Sequence, residues 1–139
     1  MSTTRSMLDT HPLRGEVNTS LLADCIERCF ECAQACTTCA DACLSEDMVA
    51  ELVRCIRLNA DCADGCAVTG RLLSRLLEAT AAPIRSQLEA CLTACQVCAE
   101  ECEQHAERHA HCRVCAEACR ACEESCRRML DTLHTAARG

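Results

Sequence analysis

Cysteine occupies the positions along four predicted helices that leucine and isoleucine fill in an ordinary bundle. In the first helix the cysteines recur at steps of four and three residues, which keeps every one of them on the same helical face. This row consists of Cys25, Cys29, Cys32, Cys36, Cys39 and Cys43. It would extend over roughly 27 Å at 1.5 Å per residue. The pattern therefore predicts a long helix with one face of thiols.

Three more segments repeat this spacing. The second row is Cys55, Cys62 and Cys66. Asn59 stands where the alternation of four and three requires another member. The third row is Cys91, Cys95, Cys98 and Cys102, and the fourth is Cys112, Cys115, Cys119, Cys122 and Cys126. No other continuous stripe could form a core, so the four rows are expected to face one another around a thiol-lined interior.

The chain is predicted to consist of a flexible N-terminal arm, residues 1–17, and a Cys-rich four-helix bundle, residues 18–139. The predicted helices run from Asn18 to Leu44, Ser45 to Ala79, Pro83 to Arg108 and His111 to Leu133. Ser45 is interpreted as an N-cap with Glu46 in the first turn, and Pro83 as a first-turn proline. Short links between helices favour antiparallel neighbours. The expected fold is all-α, an antiparallel up-down-up-down four-helix bundle with a Cys-lined core.

Extending the register beyond the cysteines gives the bundle two different ends. One end is predicted to be an apolar plug of Leu22, Thr69, Leu73, Leu76, Ile84, Leu88, Met129 and Leu133. At the other end the register reaches Met48, His105 and His109, and His111 lies beside it. Thioethers and imidazoles bind soft and borderline metals, so this end is predicted to be the mouth through which metal enters.

Each of these non-cysteine candidates also has a structural interpretation. Asn59 is either an auxiliary oxygen ligand or a core polar residue that fixes the helix register. Met48 is either a ligand or a gap filler. The histidines are ligands, or they are solvated residues near a helix end. The sequence alone leaves these alternatives open.

Composition narrows the chemistry. Cysteine supplies 18 of the 139 residues, above the roughly 8–10% at which its content becomes diagnostic. The net charge of −7 comes with no basic patch, so no nucleic-acid partner is expected. No apolar run suits a signal peptide or a membrane span, so a cytoplasmic location without membrane association is predicted. Cytosolic thiols stay reduced, which favours metal binding over a disulfide scaffold.

Charge balance favours Cu(I) as the metal. Soft thiolates select Cu(I), Zn or Fe–S clusters, and a buried thiolate is costly unless its charge is cancelled. In a bridged network each Cu(I) takes about two sulfurs and each sulfur serves about two coppers, which leaves the core nearly neutral. Zn²⁺ in sites of four thiolates would leave about −2 per site. Multiple Cu(I) ions per chain are therefore expected.

The sequence leaves two other functions open. A metallothionein-like sink for zinc or soft metals in general is the main alternative, and an Fe–S redox protein is a weaker one. The segment Cys25-x₃-Cys29-x₂-Cys32 matches the cluster spacing of radical enzymes that use S-adenosylmethionine. That spacing recurs wherever steps of four and three meet, and the chain is too short for their barrel. No enzymatic activity is predicted.

The cysteine rows over residues 18–134 resemble the bacterial copper storage proteins, specifically the cytosolic branch that lacks an export signal. The resemblance implies a homotetramer of four-helix bundles, each of which holds many Cu(I) ions. It also implies that histidines replace the Met-rich entrance of the exported branch. The expected function is cytosolic storage and sequestration of Cu(I). A copper chaperone or a low-molecular-weight thiol such as glutathione is the expected donor.

Overall fold

The computed structural model describes residues 2–12, 18–75 and 81–138. Within these residues the regular elements are all helical. They are α1 (Thr3–Asp9), α2 (Thr19–Leu44), α3 (Val53–Leu73), α4 (Ala81–His105) and α5 (Ala110–Arg138), with a 3₁₀ turn at Val49–Leu52 that leads into α3. The prediction of an all-α bundle is confirmed.

The four long helices pack in a closed square, in which α2 and α4 each contact both α3 and α5. Neighbouring helices are antiparallel. Between α2 and α5, the Sγ atoms of Cys32 and Cys119 lie 3.7 Å apart and those of Cys39 and Cys112 lie 3.9 Å apart. Residue numbers in α5 therefore fall as residue numbers in α2 rise. The pairs between α3 and α4 follow the same rule. This is the order of an up-down-up-down bundle.

Helix α2 begins as predicted but ends differently. Asn18 caps it, because the side-chain oxygen of Asn18 accepts the backbone N–H of Leu21 at 3.0 Å. Ser45 was predicted to start the second helix, and this was wrong. Its backbone N–H donates to Ala42 O and its hydroxyl donates to Asp41 O, so Ser45 ends α2. Serine commonly bonds a carbonyl four residues earlier in this way. Residues 46–48 become a turn between α2 and the 3₁₀ turn.

The segment predicted as a flexible arm contains helix α1. The hydroxyl of its N-cap, Ser2, accepts the backbone N–H of Arg5. Leu8 is buried because α1 packs on α2 and gives this side chain an apolar surface. The division of the chain into an arm and a bundle at residue 17 stays a prediction.

The remaining helix ends differ from the prediction by a few residues. Helix α4 starts at Ala81, which places Pro83 in its first turn as predicted, and it ends at His105 rather than Arg108. Helix α5 continues to Arg138. Helix α3 ends at Leu73. The predicted continuation of that helix over residues 76–80, with Leu76, lies outside the described residues.

The predicted apolar plug is buried at the end of the bundle where α2 and α4 begin. Its described members are Leu22, Thr69, Leu73, Ile84, Leu88, Met129 and Leu133, all of them buried. The polar member, Thr69, is satisfied by hydrogen bonds, since it donates to Gly65 O at 2.8 Å and accepts from Gln87 at 3.0 Å. The plug therefore closes this end without an unpaired polar group on Thr69.

We expect Leu88→Ala to lower the free energy of unfolding of the metal-free protein by about 2–5 kcal/mol, because it leaves a cavity in the plug. Leu44→Ala is the matched control, since Leu44 is 59% exposed; this change should cost less than about 0.5 kcal/mol. Denaturant unfolding under reducing conditions measures both. Equal effects for the two variants would show that the plug does not support the fold.

Candidate metal centre

A continuous column of thiols fills the bundle between the plug and the opposite end. All 18 cysteines are buried and carry free thiols. Neighbouring sulfurs lie 3.6 to 4.0 Å apart, as in Cys36–Cys119 and Cys36–Cys98. Two sulfurs on one metal at about 2.3 Å each would be about 3.8 Å apart in a tetrahedral site and about 4.6 Å apart in a linear one. The column therefore already has the spacing of a metal-thiolate network.

The thiols form overlapping groups of four, and within each group the sulfurs lie within 4.8 Å of one another. Four such groups are Cys29, Cys91, Cys122 and Cys126; Cys32, Cys66, Cys95 and Cys122; Cys32, Cys36, Cys62 and Cys119; and Cys36, Cys98, Cys115 and Cys119. Successive groups share a cysteine, for example Cys122 between the first two. Because sulfurs are shared, metal bound in one group would be bridged to metal in the next.

Hydrogen bonds among the thiols shift the pKa values of individual cysteines in opposite directions. Hydrogen bonds with Cys102 and Cys112 lower the pKa of both Cys39 and Cys55. Cys115 and Cys119 raise the pKa of Cys36. A thiolate in this network depends on neighbouring S–H donors, so those neighbours must remain protonated. Ionising the whole column requires cations inside it.

Asn59 lies in the column, where its side chain is surrounded by thiols. Its Oδ1 accepts from Cys98 at 3.0 Å, Cys115 at 3.3 Å and Cys102 at 3.5 Å, and its Nδ2 donates to Cys55 at 3.7 Å. These bonds satisfy a fully buried amide. They are consistent with a core polar residue that fixes the register of the helices. The position of Oδ1 beside three sulfurs is also the position that an auxiliary ligand would take.

At the end opposite the plug, His111 completes a group with three thiols. The ligand atoms of Cys39, Cys43, His111 and Cys112 lie within 4.8 Å of one another. The Nδ1 atom of His111 is 3.4 Å from Cys39 Sγ and 3.6 Å from Cys112 Sγ. Burial opposes the charged form of His111, but hydrogen bonds with Cys39 and Glu46 outweigh burial and raise its pKa above the ordinary value.

His109 and Met48 lie beside His111. The Nε2 atom of His109 lies 3.3 Å from the Met48 sulfur, and the rings of His109 and His111 stack with centroids 5.5 Å apart. Met48 is 36% exposed, whereas His109 is buried. The structure thus brings together the thioether of Met48, the imidazoles of His109 and His111, and the first thiols of the column, Cys39 and Cys112. We call this group of residues the mouth.

His105 is the third histidine that was predicted to be a ligand, and its ring contacts a carboxylate. Its Nε2 lies 2.8 Å from Glu101 Oε2, and Arg54 pairs with the other oxygen of Glu101 at 3.2 Å. Glu101 is itself buried. The structure therefore places His105 in an ion-pair network, whereas His109 and His111 have sulfur neighbours.

Two residues of this region, Glu46 and Glu101, were missed by the sequence reasoning. The Oε2 atom of Glu46 lies 3.0 Å from His109 Nδ1 and 2.9 Å from His111 Nε2. Glu46 was placed in the first turn of a helix because Ser45 was interpreted as its cap. The spacing of Glu101 and His105, four residues apart on one helix, was a signal that could have predicted their contact.

Comparison with known proteins identifies the family. The sequence profile of the copper storage proteins matches residues 18–131. The chain belongs to the copper storage protein family. The resemblance inferred from the cysteine rows is thereby confirmed. A search of curated proteins found no significant match.

Several solved copper storage proteins are similar over most of the chain. Ccsp from Streptomyces lividans, loaded with 10 copper equivalents, is 51% identical, with a TM-score of 0.91 over 94% of this chain and 99% of that one. A structure of copper loading to a cytosolic copper storage protein from the same organism, with five coppers, is 54% identical, with a TM-score of 0.79 over 81% and 93%. The Cu(I)-bound copper storage protein BsCsp3 is 37% identical, with a TM-score of 0.68 over 76% and 94%.

Because every thiol is buried, we expect the folded, reduced, metal-free protein to resist alkylation. A bulky maleimide should modify its cysteines only as fast as the bundle opens, whereas denaturant should expose all 18 at once. Mass spectrometry of the adducts over time measures this. Immediate labelling of several cysteines under native conditions would contradict the closed column.

Proposed function

We propose that this protein stores and sequesters many Cu(I) ions on the thiolates inside its bundle. The observation that carries the proposal is the column of overlapping four-thiol groups, in which one sulfur belongs to two groups. Isolated metal sites do not need shared ligands. A shared sulfur allows a polynuclear cluster to extend from one group to the next, which is the property a storage protein needs.

Charge favours copper over zinc as the cargo. The buried ionisable residues outside the column are Glu101, His105, His109 and Glu123, among those the structure describes. None of them lies among the central thiols to offset excess negative charge. One Cu(I) per thiolate neutralises the column, whereas Zn²⁺ on four thiolates leaves each site at about −2. A general soft-metal sink and an Fe–S redox protein remain the weaker candidates.

The relatives support both cargo and location. Solved relatives were loaded with 10 copper equivalents and with five coppers, and another is Cu(I)-bound. One of them is a cytosolic protein in Streptomyces lividans, and we place this chain in the cytosol by that similarity. No described helix has both the length and the apolar character to span a membrane.

Copper passes through the mouth in this proposal. Met48 and His109 meet the ion first, and His111 transfers it to Cys39 and Cys112. Exchange between neighbouring thiolates then carries it inward. The donor is a copper chaperone or a small thiol such as glutathione. Storage requires no catalysis, and we assign the chain no enzymatic activity.

The assembly is proposed to be a homotetramer of bundles. This follows from the family resemblance, and light scattering on the purified protein measures it. The ligand set comprises the 18 cysteines, Asn59 and the mouth residues Met48, His109 and His111. His105 is proposed as a weaker ligand, because its Nε2 is hydrogen-bonded to Glu101.

Anaerobic titration of the reduced protein with Cu(I) tests storage directly. We expect saturation on the order of one Cu(I) per thiol, roughly 18 per chain, because shared sulfurs give that ratio. A chromophoric Cu(I) chelator reports the free ion. Saturation at a few ions, or displacement of bound copper by equimolar Zn²⁺, would contradict the proposal.

The double variant His105→Ala with His109→Ala should take up Cu(I) more slowly than the parent while its final capacity stays nearly unchanged. The reason is that His109 belongs to the mouth, His105 lies at the same end of the bundle, and neither is one of the column thiols. Stopped-flow transfer from a Cu(I) chelator measures the rate. We expect the single change at His109 to account for most of the effect, since His109 contacts Met48 and His105 does not. Unchanged uptake in the double variant would place the mouth elsewhere.

A further inference from the structure

One carboxylate oxygen at the mouth contacts two imidazole rings through different nitrogens. Glu46 Oε2 lies 2.9 Å from His111 Nε2 and 3.0 Å from His109 Nδ1. A carboxylate accepts hydrogen bonds and donates none. In the neutral form of each ring, the nitrogen that faces Glu46 must therefore carry the proton.

This requirement fixes where the free lone pair of each ring points. In His111 the unprotonated nitrogen is Nδ1, which faces Cys39 at 3.4 Å and Cys112 at 3.6 Å. In His109 it is Nε2, which faces the Met48 sulfur at 3.3 Å. The tautomers of the two rings are opposite, and each presents a bare nitrogen to sulfur.

The contact between His109 and Met48 joins two atoms that carry no proton. With the proton held on Nδ1 by Glu46, no hydrogen lies between Nε2 and the thioether sulfur. Two electron-pair donors then face each other at 3.3 Å. A soft cation that binds nitrogen and thioether sulfur together is the chemistry that suits such a pair.

We propose that Glu46 is a positioning residue that divides the mouth into two Cu(I) sites in series. The outer site is Met48 with His109, and the inner site is His111 with Cys39 and Cys112. Glu46 binds no copper in this scheme; it holds both tautomers so that each site has a free imidazole nitrogen. Histidine ligands of metals commonly donate their other N–H to a carboxylate in this way. The inference rests on the proposed function and specifies how its mouth operates.

The position of Glu46 in the chain suits this role. Ser45 ends α2, so Glu46 lies in the turn between α2 and the 3₁₀ turn. From there its side chain reaches both rings, which stack with centroids 5.5 Å apart. An ion that leaves the outer site is thus close to the inner one. Another acid at this end, Glu51, pairs with Arg108 at 3.6 Å.

The test compares Glu46→Ala with Glu51→Ala. Both variants lose one negative charge at the same end, so a general attraction of Cu(I) to acidic residues affects them equally. The first readout is the tautomer of His109 and His111 in the metal-free, reduced protein. Two-bond ¹H–¹⁵N correlations report it in the state in which both rings are neutral. The second readout is the rate of Cu(I) transfer from a chelator, with final capacity as the control for an intact bundle.

We expect Glu46→Ala to convert both rings to mixtures of tautomers and to slow uptake about tenfold, with capacity unchanged. Glu51→Ala should leave the tautomers of both rings as they are. It should take up Cu(I) from the chelator faster than Glu46→Ala does. Glu46→Gln keeps an acceptor oxygen between the rings and should recover part of the lost rate. Unchanged tautomers in Glu46→Ala, or uptake equal to that of Glu51→Ala, would overturn the proposal.

The tautomer readout uses no copper, so it is independent of whether the chain stores the metal. If the wild-type protein binds only a few ions, the storage proposal fails on its own measurement. The role of Glu46 in fixing the rings would then still be decided by the spectra. If the rings are fixed but uptake does not depend on Glu46, the tautomers have no part in the passage of copper.

Discussion

The rest of the structure depends on one electrostatic constraint, which is that a thiolate inside the bundle must be matched by positive charge. A protonated cysteine behaves as a small apolar residue, and 18 of them supply most of the core. An ionised cysteine in the same place is a buried anion. The bundle can therefore fold without metal, and it becomes a metal host only as fast as cations replace protons.

The helical architecture makes this exchange compatible with a fixed shape. Each four-thiol group draws its members from more than one helix, so bound metal would cross-link elements that are already packed together. Antiparallel helices bring the steps of four and three into alignment along the whole column. The oxygen of Asn59 accepts bonds from three thiols near the middle and interrupts the sulfur lattice without leaving a polar group unpaired.

The sequence predicted the column and the plug well. Both follow from a spacing of four and three residues, which places the repeated side chains on one face of a helix. Cys29 and Cys122 were placed on facing seams by periodicity, and they lie 3.8 Å apart. The mouth was predicted less completely. A serine favours the start of a helix, but it can also end one by bonding a carbonyl four residues earlier. The interpretation of Ser45 as an N-cap therefore placed Glu46 in the wrong element. The contact of Glu46 with two rings 63 and 65 residues away depends on that turn, and no local pattern encodes it.

The N-terminal helix illustrates the same limit. Leu8 and the exposed Met7 are the apolar residues of α1, and the burial of Leu8 depends on a surface that α2 offers only in the folded protein. Likewise, His105 follows the cysteine register, yet a buried carboxylate four residues earlier engages its ring. Periodicity assigns a residue to a face; it does not assign the partner that the residue meets there.

The apolar plug has a consequence for the order of events in the column. Since Leu22, Leu88 and Met129 close one end, ions that use the mouth must arrive and leave by the same route. On the proposed route the column would fill and empty from the mouth, so the copper nearest the mouth would be the first to leave. The outermost ions would meet a sudden demand, and the inner ones would form a reserve whose release is limited by those above them.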